Sequence, residues 1–340
     1  MREAPSMWWR PLSFSAILLS PFALLYGFIS GLQMSRKERY RSSVPVICVG
    51  NFVVGGAGKT PTALAIAARL KREDSKVCFL TRGYGGRLSG PLWVDPETHT
   101  AADVGDEALL LAELAPTIIS GDRVAGAKAA EAEGMDWIVM DDGLQNPALH
   151  KSLRLAVADG FRGIGNGLCI PAGPLRAPLA RQFHRTDAVV VVGQGGPGFD
   201  FARLAARRGL PVLRGRLEPS GEALSEIVGG TVLAYAGIGN PDKFFATLSD
   251  FGIAIGEGRS FADHHVYTED DARQLLQDAE TANQVLVTTS KDRARLPDDD
   301  TALGDLKRAS KVLDVTLELE NPDLLERLIA TARDRHVNGQ

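Results

Sequence analysis

A glycine-rich loop between a predicted strand and a predicted helix constrains the fold of this chain more than any other feature. Residues 44–50 (VPVICVG) are apolar and β-branched, as expected for a buried strand. The loop 51–60 (NFVVGGAGKT), called the P-loop below, ends in Gly-Lys-Thr, and the spacing from Thr62 to Lys71 predicts a helix. Strand, loop and helix together indicate a Walker A loop, which binds the phosphates of a nucleoside triphosphate.

The parts of the P-loop have separate chemical roles. Its glycines let backbone N–H groups turn toward phosphate oxygens, and the helix N-terminus adds a positive end. Lys59 is expected to reach the β- and γ-phosphates, and the Thr60 hydroxyl to bind Mg²⁺. The common glycine is replaced by Val53, and Val54 stands where related GGxGKT ATPases carry a lysine. The predicted nucleotide-binding residues are Val54, Gly55, Gly56, Ala57, Gly58, Lys59, Thr60 and Pro61.

A second strand pattern ends in two carboxylates. Residues 137–140 (WIVM) are apolar, and Asp141, Asp142 and Gly143 follow. A carboxylate at the carboxyl end of a parallel strand can hold the Mg²⁺ shell beside a Walker A loop. An ordinary Asp-Gly turn is the alternative. The sequence therefore predicts that Asp141 or Asp142 contacts Mg²⁺, and the spacing slightly favours Asp141.

Strand and helix patterns alternate along the rest of the chain. The predicted strands are 77–81, 117–120, 153–158, 188–193, 231–236, 285–288 and 312–317, and the predicted helices include 106–115, 123–134, 241–250, 268–283 and 322–335. The stretch 193–198 (GQGGPG) predicts a loop. This alternation predicts an α/β fold with an open, mostly parallel sheet of the P-loop nucleotide-binding type and helices on both faces.

Length and composition suggest how the chain divides. At about 150 residues per domain, 340 residues make about two domains. A composition break near 218–230 separates a P-loop core, 42–225, from a smaller C-terminal α/β domain, 226–340, expected to close over the active site. Residues 1–41 form a hydrophobic N-terminal segment expected to associate with a membrane.

The charge and the cysteines exclude several classes of protein. A net charge of −4 and 6% aromatic residues argue against a dedicated nucleic-acid binder. Cys48, Cys78 and Cys169 are far apart and lack CxxC spacing, so neither a disulfide framework nor a zinc site is indicated. Reduced thiols in a cytosolic compartment fit best.

The N-terminal segment has the composition of a membrane-associated helix. Residues 11–35 contain no charged side chain, Trp8 and Trp9 precede them, and four basic residues follow within 36–41. Aromatic and basic flanks suit the headgroup layer. A helix lying in the interface or docking a lipid is favoured over a spanning helix, a cleaved signal peptide and an ordinary buried helix. Because the ATP pool is cytosolic, the body is expected on the cytoplasmic side.

Further polar clusters follow predicted strands, and each has an ordinary structural alternative. The stretch 81–87 (TRGYGGR) holds two arginines that suit an anionic ligand, although a solvated turn is also possible. Asp106 precedes an apolar helix and is otherwise read as a helix cap. His264 and His265 lie in a polar turn, where a lone histidine pair is more often structural than metal-binding.

Together these motifs resemble the tetraacyldisaccharide 4′-kinase family, the lipid A 4′-kinases of Gram-negative bacteria. The matching stretches, in order, are VGNFVVGGAGKTP, TRGYGGR, VGDE, GDR, DDGLQN, PAGPLRAP, FADHH and TTSKDRARL. The hydrophobic N-terminal segment also fits, and the resemblance as a whole covers residues from about 5 to 320. The chain departs from the family pattern at Ala177, where an acidic residue is expected, and at Asn146, where a histidine is expected.

The resemblance implies transfer of the ATP γ-phosphate to the 4′-hydroxyl of a tetraacyldisaccharide 1-phosphate, with lipid IVA as product. It also implies Mg²⁺ and a monotopic or single-pass association with the cytoplasmic face of the bacterial inner membrane. It implies an acylated disaccharide lipid and the membrane surface as partners, and no protein partner. The residues that the resemblance places at the substrate are Arg82, Glu107, Arg123, Gln145 and Arg176.

Three residues are the catalytic candidates: Lys59, Asp106 and His264. Asp106 matches the acid of the family's GDE motif and is the expected base for the sugar hydroxyl, while His264 matches its Asp-His motif. A carboxylate alone has a pKa near ~4 and is a weak base, so the histidine is expected to orient it and share the proton. We expect the pair to form when the domains close on the substrate.

The alternative function is a membrane-associated GGxGKT ATPase or GTPase that acts as a switch or delivery factor without an alcohol acceptor. Such proteins usually carry a lysine in the place of Val54, and Ser290-Lys291-Asp292 lacks the spacing of a guanine-binding N-K-x-D motif. ATP consumption that depends on a lipid acceptor distinguishes the two.

Overall fold

Nine strands form the larger sheet of the computed structural model, which describes residues 5–227 and 229–339. In order across this first sheet they are Val315–Leu319, Val212–Pro219, Ala188–Val192, Leu153–Asp159, Val46–Asn51, Trp137–Asp141, Val77–Thr81, Thr117–Ile119 and Leu92–Trp93. The edge strands Val315–Leu319 and Leu92–Trp93 pair antiparallel and the other seven are parallel. The carboxyl ends of the parallel strands therefore meet at one edge, where ligands bind in open α/β sheets.

Helices cover both faces of the first sheet, so the central strand Val46–Asn51 is buried along its whole length. Ile47 and Val49 pack into one hydrophobic cluster with the helix Lys59–Arg72, while Val46 and Cys48 point into a second cluster on the other face. The remaining helices around this sheet are Ala101–Val104, Asp106–Ala112, Arg123–Ala132, Leu179–His184, Gly196–Ala206 and Pro322–Val337. The predicted mostly parallel α/β fold is confirmed.

A second, smaller sheet has four parallel strands in the part of the chain that the structure describes. They are, in order, Ala254–Ser260, Thr231–Ala236, Val285–Thr288 and Lys311–Val312. Its helices are Gly221–Ile227, Pro241–Asp250, Glu269–Thr281, Ser290–Arg293 and Ala302–Ala309. Alternate residues of Thr231–Ala236 feed two small cores on opposite faces, so this sheet too is covered on both sides.

The strands do not follow the predicted domain boundaries. The boundary between 225 and 226 falls inside the helix Gly221–Ile227, and the predicted strand 312–317 is two strands in different sheets. Val315–Leu319 returns to the first sheet and pairs with Val212–Pro219, and the following helix buries Leu325 and Ile329 in the first core. Apolar residues continue on both sides of Asp314, so their spacing does not reveal which of the two sheets each half of the predicted strand 312–317 joins. Residues 1–4, 228 and 340 of the predicted segments lie outside the described residues.

One further expectation is corrected, and two strands have no counterpart among the predicted elements. The loop predicted at 193–198 ends early, because a helix begins at Gly196 with Pro197 in its first turn, a position that tolerates proline. The strands Val212–Pro219 and Ala254–Ser260 were not predicted, since both mix charged residues and glycines with few buried positions.

Each sheet together with the helices that cover it is called a unit below. The N-terminal helix Phe14–Met34 docks on the first sheet's unit through its small residues. Ala16, Ala23, Gly27 and Gly31 are buried, and a side chain at Gly27 would lie 3.1 Å from Cys169 Sγ. Its large apolar residues point outward instead, and they include Phe14, Ile17, Leu18, Phe22, Leu24, Leu25, Phe28, Ile29 and Leu32. By length and composition it is the one helix among the described residues that could cross a membrane.

Candidate active site

The P-loop lies at the carboxyl edge of the first sheet and opens the helix Lys59–Arg72. Gly58 has φ +89° and packs against Val192, so the turn into the helix needs a glycine there. Gly56 is different, because a side chain at this position would meet nothing within 4 Å and its φ is not positive. Nothing in the described protein requires glycine at Gly56, and the space beside it suits the close approach of a phosphate.

Thr60 and Asp141 form a buried polar pair beside the P-loop. The Thr60 hydroxyl donates to Asp141 Oδ2 at 3.3 Å, and the two residues are 3% and 1% exposed. Asp141 Oδ1 has no hydrogen-bond partner among the described residues. Burial, followed by the charge of Glu107, raises the pKa of Asp141 above its usual range. A buried carboxylate oxygen without a partner, next to a hydroxyl, fits a cation that also binds phosphates.

Asp142 faces cations of the protein instead. Its carboxylate lies 3.8 Å from Lys59 Nζ and accepts from Arg176 Nη1 at 2.7 Å. Arg176 also donates from Nε to Val53 O at 3.1 Å, so it ties Asp142 to the P-loop backbone. Burial alone would raise the pKa of Asp142, but Lys59 and Arg176 lower it. The two neighbouring aspartates thus have opposite surroundings.

Asp106 lies at the start of the helix Asp106–Ala112 and is 4% exposed. Its Oδ2 accepts from His264 Nδ1 at 3.2 Å and from Arg295 Nε at 2.9 Å. Burial alone would raise the pKa of Asp106, but the hydrogen bond from His264 and the charge of Arg295 hold it below its usual range. The same hydrogen bond raises the pKa of His264. The second sheet therefore contributes two groups to one carboxylate of the first.

Sequence reasoning assigned no role to Arg295. Its Nη1 donates to Asp292 Oδ1 at 2.8 Å and to Gly237 O at 2.7 Å, and its side chain is 7% exposed. Arg295 is thus held by the second sheet's unit while it pairs with Asp106. Its motif, TTSKDRARL, contributed to the family resemblance, but the contact joins residues 189 positions apart and no local pattern reveals it.

The two histidines of the pair are separated by the structure. His264 has φ +57° and points at Asp106. His265 instead lies 3.0 Å from Asp271 Oδ2 and stacks on Phe261 with ring centroids 4.8 Å apart. The contacts of His265 therefore lie within the second sheet's unit, and those of His264 reach the first.

The five predicted substrate residues have different surroundings. Arg82 is exposed at the carboxyl end of Val77–Thr81. Glu107 accepts from Lys291 Nζ at 2.6 Å, and Arg176 is paired with Asp142.

Arg123 and Gln145 are both hydrogen-bonded to the protein itself. Arg123 is 4% exposed and donates to the carbonyls of Thr81 and Ser120. Gln145 Nε2 donates to Asn51 O at 2.7 Å and to Gln182 Oε1 at 2.8 Å. Both side chains hold neighbouring segments of the protein in place.

Comparisons with known proteins identify the family. The family described as tetraacyldisaccharide-1-P 4′-kinase, LpxK, matches residues 15–333. The chain belongs to the tetraacyldisaccharide 4′-kinase family. It is 50% identical over 337 residues to the tetraacyldisaccharide 4′-kinase of Methylobacterium sp. (strain 4-46), covering 98% of this chain and 99% of the relative. It is 51% identical over 331 residues to that of Methylorubrum extorquens (strain PA1), covering 96% and 98%.

A solved member of the tetraacyldisaccharide 4′-kinase family has the same fold. It is the "apo" form of LpxK from Aquifex aeolicus in complex with ATP, which superposes with a TM-score of 0.73 at 27% identity and covers 94% of this chain and 99% of its own. The expected kinase of lipid A biosynthesis is thereby confirmed, and the alternative of a switch or delivery factor is not supported.

Proposed function

We propose that this kinase transfers the γ-phosphate of ATP to the 4′-hydroxyl of a tetraacyldisaccharide 1-phosphate to form lipid IVA. The sugar oxygen bonds to the γ-phosphorus, the bond from that phosphorus to the bridging oxygen of ADP breaks, and the hydroxyl proton passes to a base. The contact between Asp106 and His264 carries the proposal, because it offers such a base next to the P-loop unit.

Asp106 and His264 are proposed to act as one unit. Arg295 favours the charged form of Asp106, so the carboxylate alone is a weak base at neutral pH. The imidazole of His264 has a raised pKa and can share the proton. The second sheet's unit is proposed to close over the active site, since it supplies His264 and Arg295 to a carboxylate of the first sheet's unit.

Residues 54–61 are proposed to bind ATP, and Thr60 with Asp141 to hold Mg²⁺. The unpartnered Asp141 Oδ1 supports this assignment, whereas Asp142 is already paired with Arg176. Mg²⁺ binds through one or two carboxylates plus phosphates and water, and it neutralises phosphate charge when bound. Lys59 adds a second positive charge.

The N-terminal helix is proposed to lie in the interface of the inner membrane, on the cytoplasmic side. Contacts before, within and after it support a monotopic arrangement over a spanning one. Trp8 Nε1 donates to Pro171 O at 2.9 Å before the helix, Gly27 and Gly31 lie against Pro178 within it, and Arg36 O accepts from Arg185 after it. These contacts hold the helix against the body, while its exposed apolar side is free to enter lipid, which favours the interfacial arrangement.

The acceptor's 1-phosphate is proposed to contact Arg82, which is exposed at the crevice edge.

The test of the whole proposal is incubation of the full-length protein with γ-labelled ATP, Mg²⁺ and a tetraacyldisaccharide 1-phosphate in detergent micelles. We expect label in the lipid at the 4′ position, and ATP consumption that falls to background without the lipid. ATP hydrolysis that ignores the lipid contradicts the proposal.

A further inference from the structure

Lys291 reaches from the second sheet's unit to the acidic end of the Asp106 helix. It lies in the short helix Ser290–Arg293, and its Nζ donates to Glu107 Oε1 at 2.6 Å. Its side chain is 30% exposed and that of Glu107 is 25% exposed, so solvent reaches part of the pair. Neither catalysis nor the packing described so far accounts for this lysine.

The charges around Lys291 are those of the phosphate site. Burial alone would lower the pKa of Lys291, but Glu107, followed by Asp106 and Asp141, raises it. Glu107 in turn interacts with both Lys291 and Lys59. Glu107 contacts Lys291 directly, and the charge of Lys59 also lowers its pKa.

The ammonium group of Lys291 has unused capacity. An ammonium carries three N–H donors, and Glu107 engages one of them in the part of the chain that the structure describes. A lysine that served only to join two helices would not need to lie among the acids that surround the P-loop. A lysine that binds phosphate benefits from this position, because the acids keep it charged and in place until a more strongly charged partner binds.

We propose that Lys291 is a second phosphate-binding lysine, which contacts the γ-phosphoryl group of ATP from the second sheet's unit. This inference rests on the proposed kinase function. During transfer, negative charge is spread over the equatorial oxygens of the γ-phosphoryl group, and catalysis consists largely of positioning and charge neutralisation. Lys291 supplies charge from the unit that also supplies His264, so the acceptor's base and this cation reach the phosphoryl group together.

A contact to the γ-phosphate predicts discrimination between ATP and ADP, which a structural role does not. The test measures binding of ADP and of a β,γ-imido ATP analogue, each with Mg²⁺, to full-length Lys291→Met and wild-type protein in detergent. A hydrogen bond to a charged group is worth about 1.5–3 kcal/mol, which is about a 10- to 100-fold change in affinity. We expect the analogue to bind Lys291→Met about 10- to 100-fold more weakly and ADP to bind within about 2-fold of wild type.

Two further variants separate the charge from the fold. Lys291→Arg keeps the charge and should recover part of the analogue's affinity, and Lys291→Gln should resemble Lys291→Met. Lys307→Met is the matched control, since Lys307 pairs with Asp298 at 2.7 Å in the same unit away from the P-loop, and it should leave both affinities unchanged.

Equal weakening of both nucleotides, or of neither, overturns the inference for Lys291. The kinase proposal fails on a different result, the absence of acceptor-dependent lipid phosphorylation by the wild-type protein. The two failures are therefore distinguishable.

Discussion

His264 Nδ1 lies 3.2 Å from Asp106 Oδ2, and the same carboxylate oxygen accepts a hydrogen bond from Arg295 Nε at 2.9 Å. The acid belongs to the first sheet's unit and both donors belong to the second. The proposed base is thus assembled across two units. Its strength and its geometry depend on residues more than 150 positions away along the chain.

We predict that Asp106→Ala and His264→Ala each reduce kcat at least about 100-fold, with little change in the KM for ATP. A positioned base contributes about 10²- to 10⁴-fold, and the double variant should be little worse than the worse single variant because the two residues act as a unit. Steady-state kinetics with saturating lipid measure this. Losses that multiply in the double variant would rule out a shared role.

His265→Ala is the control for the histidine pair. His265 pairs with Asp271 and stacks on Phe261, so this variant should retain a kcat near that of the wild type. An inactive His265→Ala beside an active His264→Ala would mean that the wrong histidine of the pair has been chosen.

We predict that Arg295→Gln destabilises the protein by about 3–5 kcal/mol at neutral pH, because it leaves the buried Asp106 carboxylate without its guanidinium partner. The folded-state pKa of Asp106 lies below its unfolded value, so the stability gained from the ionised pair is present above a pH of about 4 and is lost as the pH falls toward the folded-state pKa. Thermal unfolding at several pH values should show a Tm gap that is widest near pH 7 and narrows below pH 4.

Arg293→Gln is the matched control for Arg295→Gln, since Arg293 is exposed on the same short helix. It should shift the Tm little at any pH. A Tm gap for Arg295→Gln that stays constant from pH 7 to pH 3 would indicate that the loss comes from packing and not from the charge pair.

The local part of the site is predictable from sequence and the long-range part is not. Lys59 and Thr60 follow from a motif whose strand, loop and helix are contiguous, and Asp141 follows from a strand that ends in acid. The resemblance predicts His264 as the partner of Asp106, but the contacts of Arg295 with Asp106 and of Lys291 with Glu107 could not be predicted, because neither residue carries a spacing that distinguishes it from the other charged residues.

The fold shows the same division. Buried parallel strands such as Ala188–Val192 are continuous apolar runs and were predicted nearly to their ends. Val315–Leu319 is half-exposed, and its pairing with Val212–Pro219 is set by the tertiary arrangement. Only the structure therefore shows that the chain passes from the first sheet to the second and returns.

We predict that Lys59→Ala and Thr60→Ala each reduce turnover by orders of magnitude without unfolding the protein. Lys59 faces Asp142 at the P-loop, so Lys59→Ala removes a charge needed for phosphoryl transfer. Thr60 faces Asp141, so Thr60→Ala removes a group that positions the metal. Neither substitution removes much packing. Circular dichroism checks the fold and the lipid assay checks turnover. A near-normal kcat in either folded variant would refute the assignment of this loop to ATP.

We predict different metal dependences for the two neighbouring aspartates. Asp141→Asn should raise the Mg²⁺ concentration needed for half-maximal activity at least about 10-fold, because Asp141 Oδ1 is the carboxylate oxygen left for a cation. Asp142→Asn should leave that concentration nearly unchanged and lower kcat instead, since Asp142 pairs with Arg176 and Lys59. Activity measured over a Mg²⁺ series distinguishes them, and a reversed pattern would assign the metal to Asp142.

The exposed side of the N-terminal helix should set membrane affinity independently of how the helix docks. Leu18, Phe22 and Leu25 are 67%, 64% and 60% exposed, and burying one large apolar side chain is worth about 1.5–3 kcal/mol. We predict that changing all three to serine weakens binding to vesicles on the order of 100-fold or more and raises the KM for the lipid more than that for ATP.

Deletion of residues 1–35 should move the protein to the soluble fraction, but it also removes the contacts with Pro171 and Pro178. The serine variant keeps the small-residue face that packs on the body, so its Tm should match the wild type. Vesicle sedimentation, read beside the two KM values and the Tm, checks this, and undiminished sedimentation of the serine variant would locate the membrane anchor elsewhere in the chain.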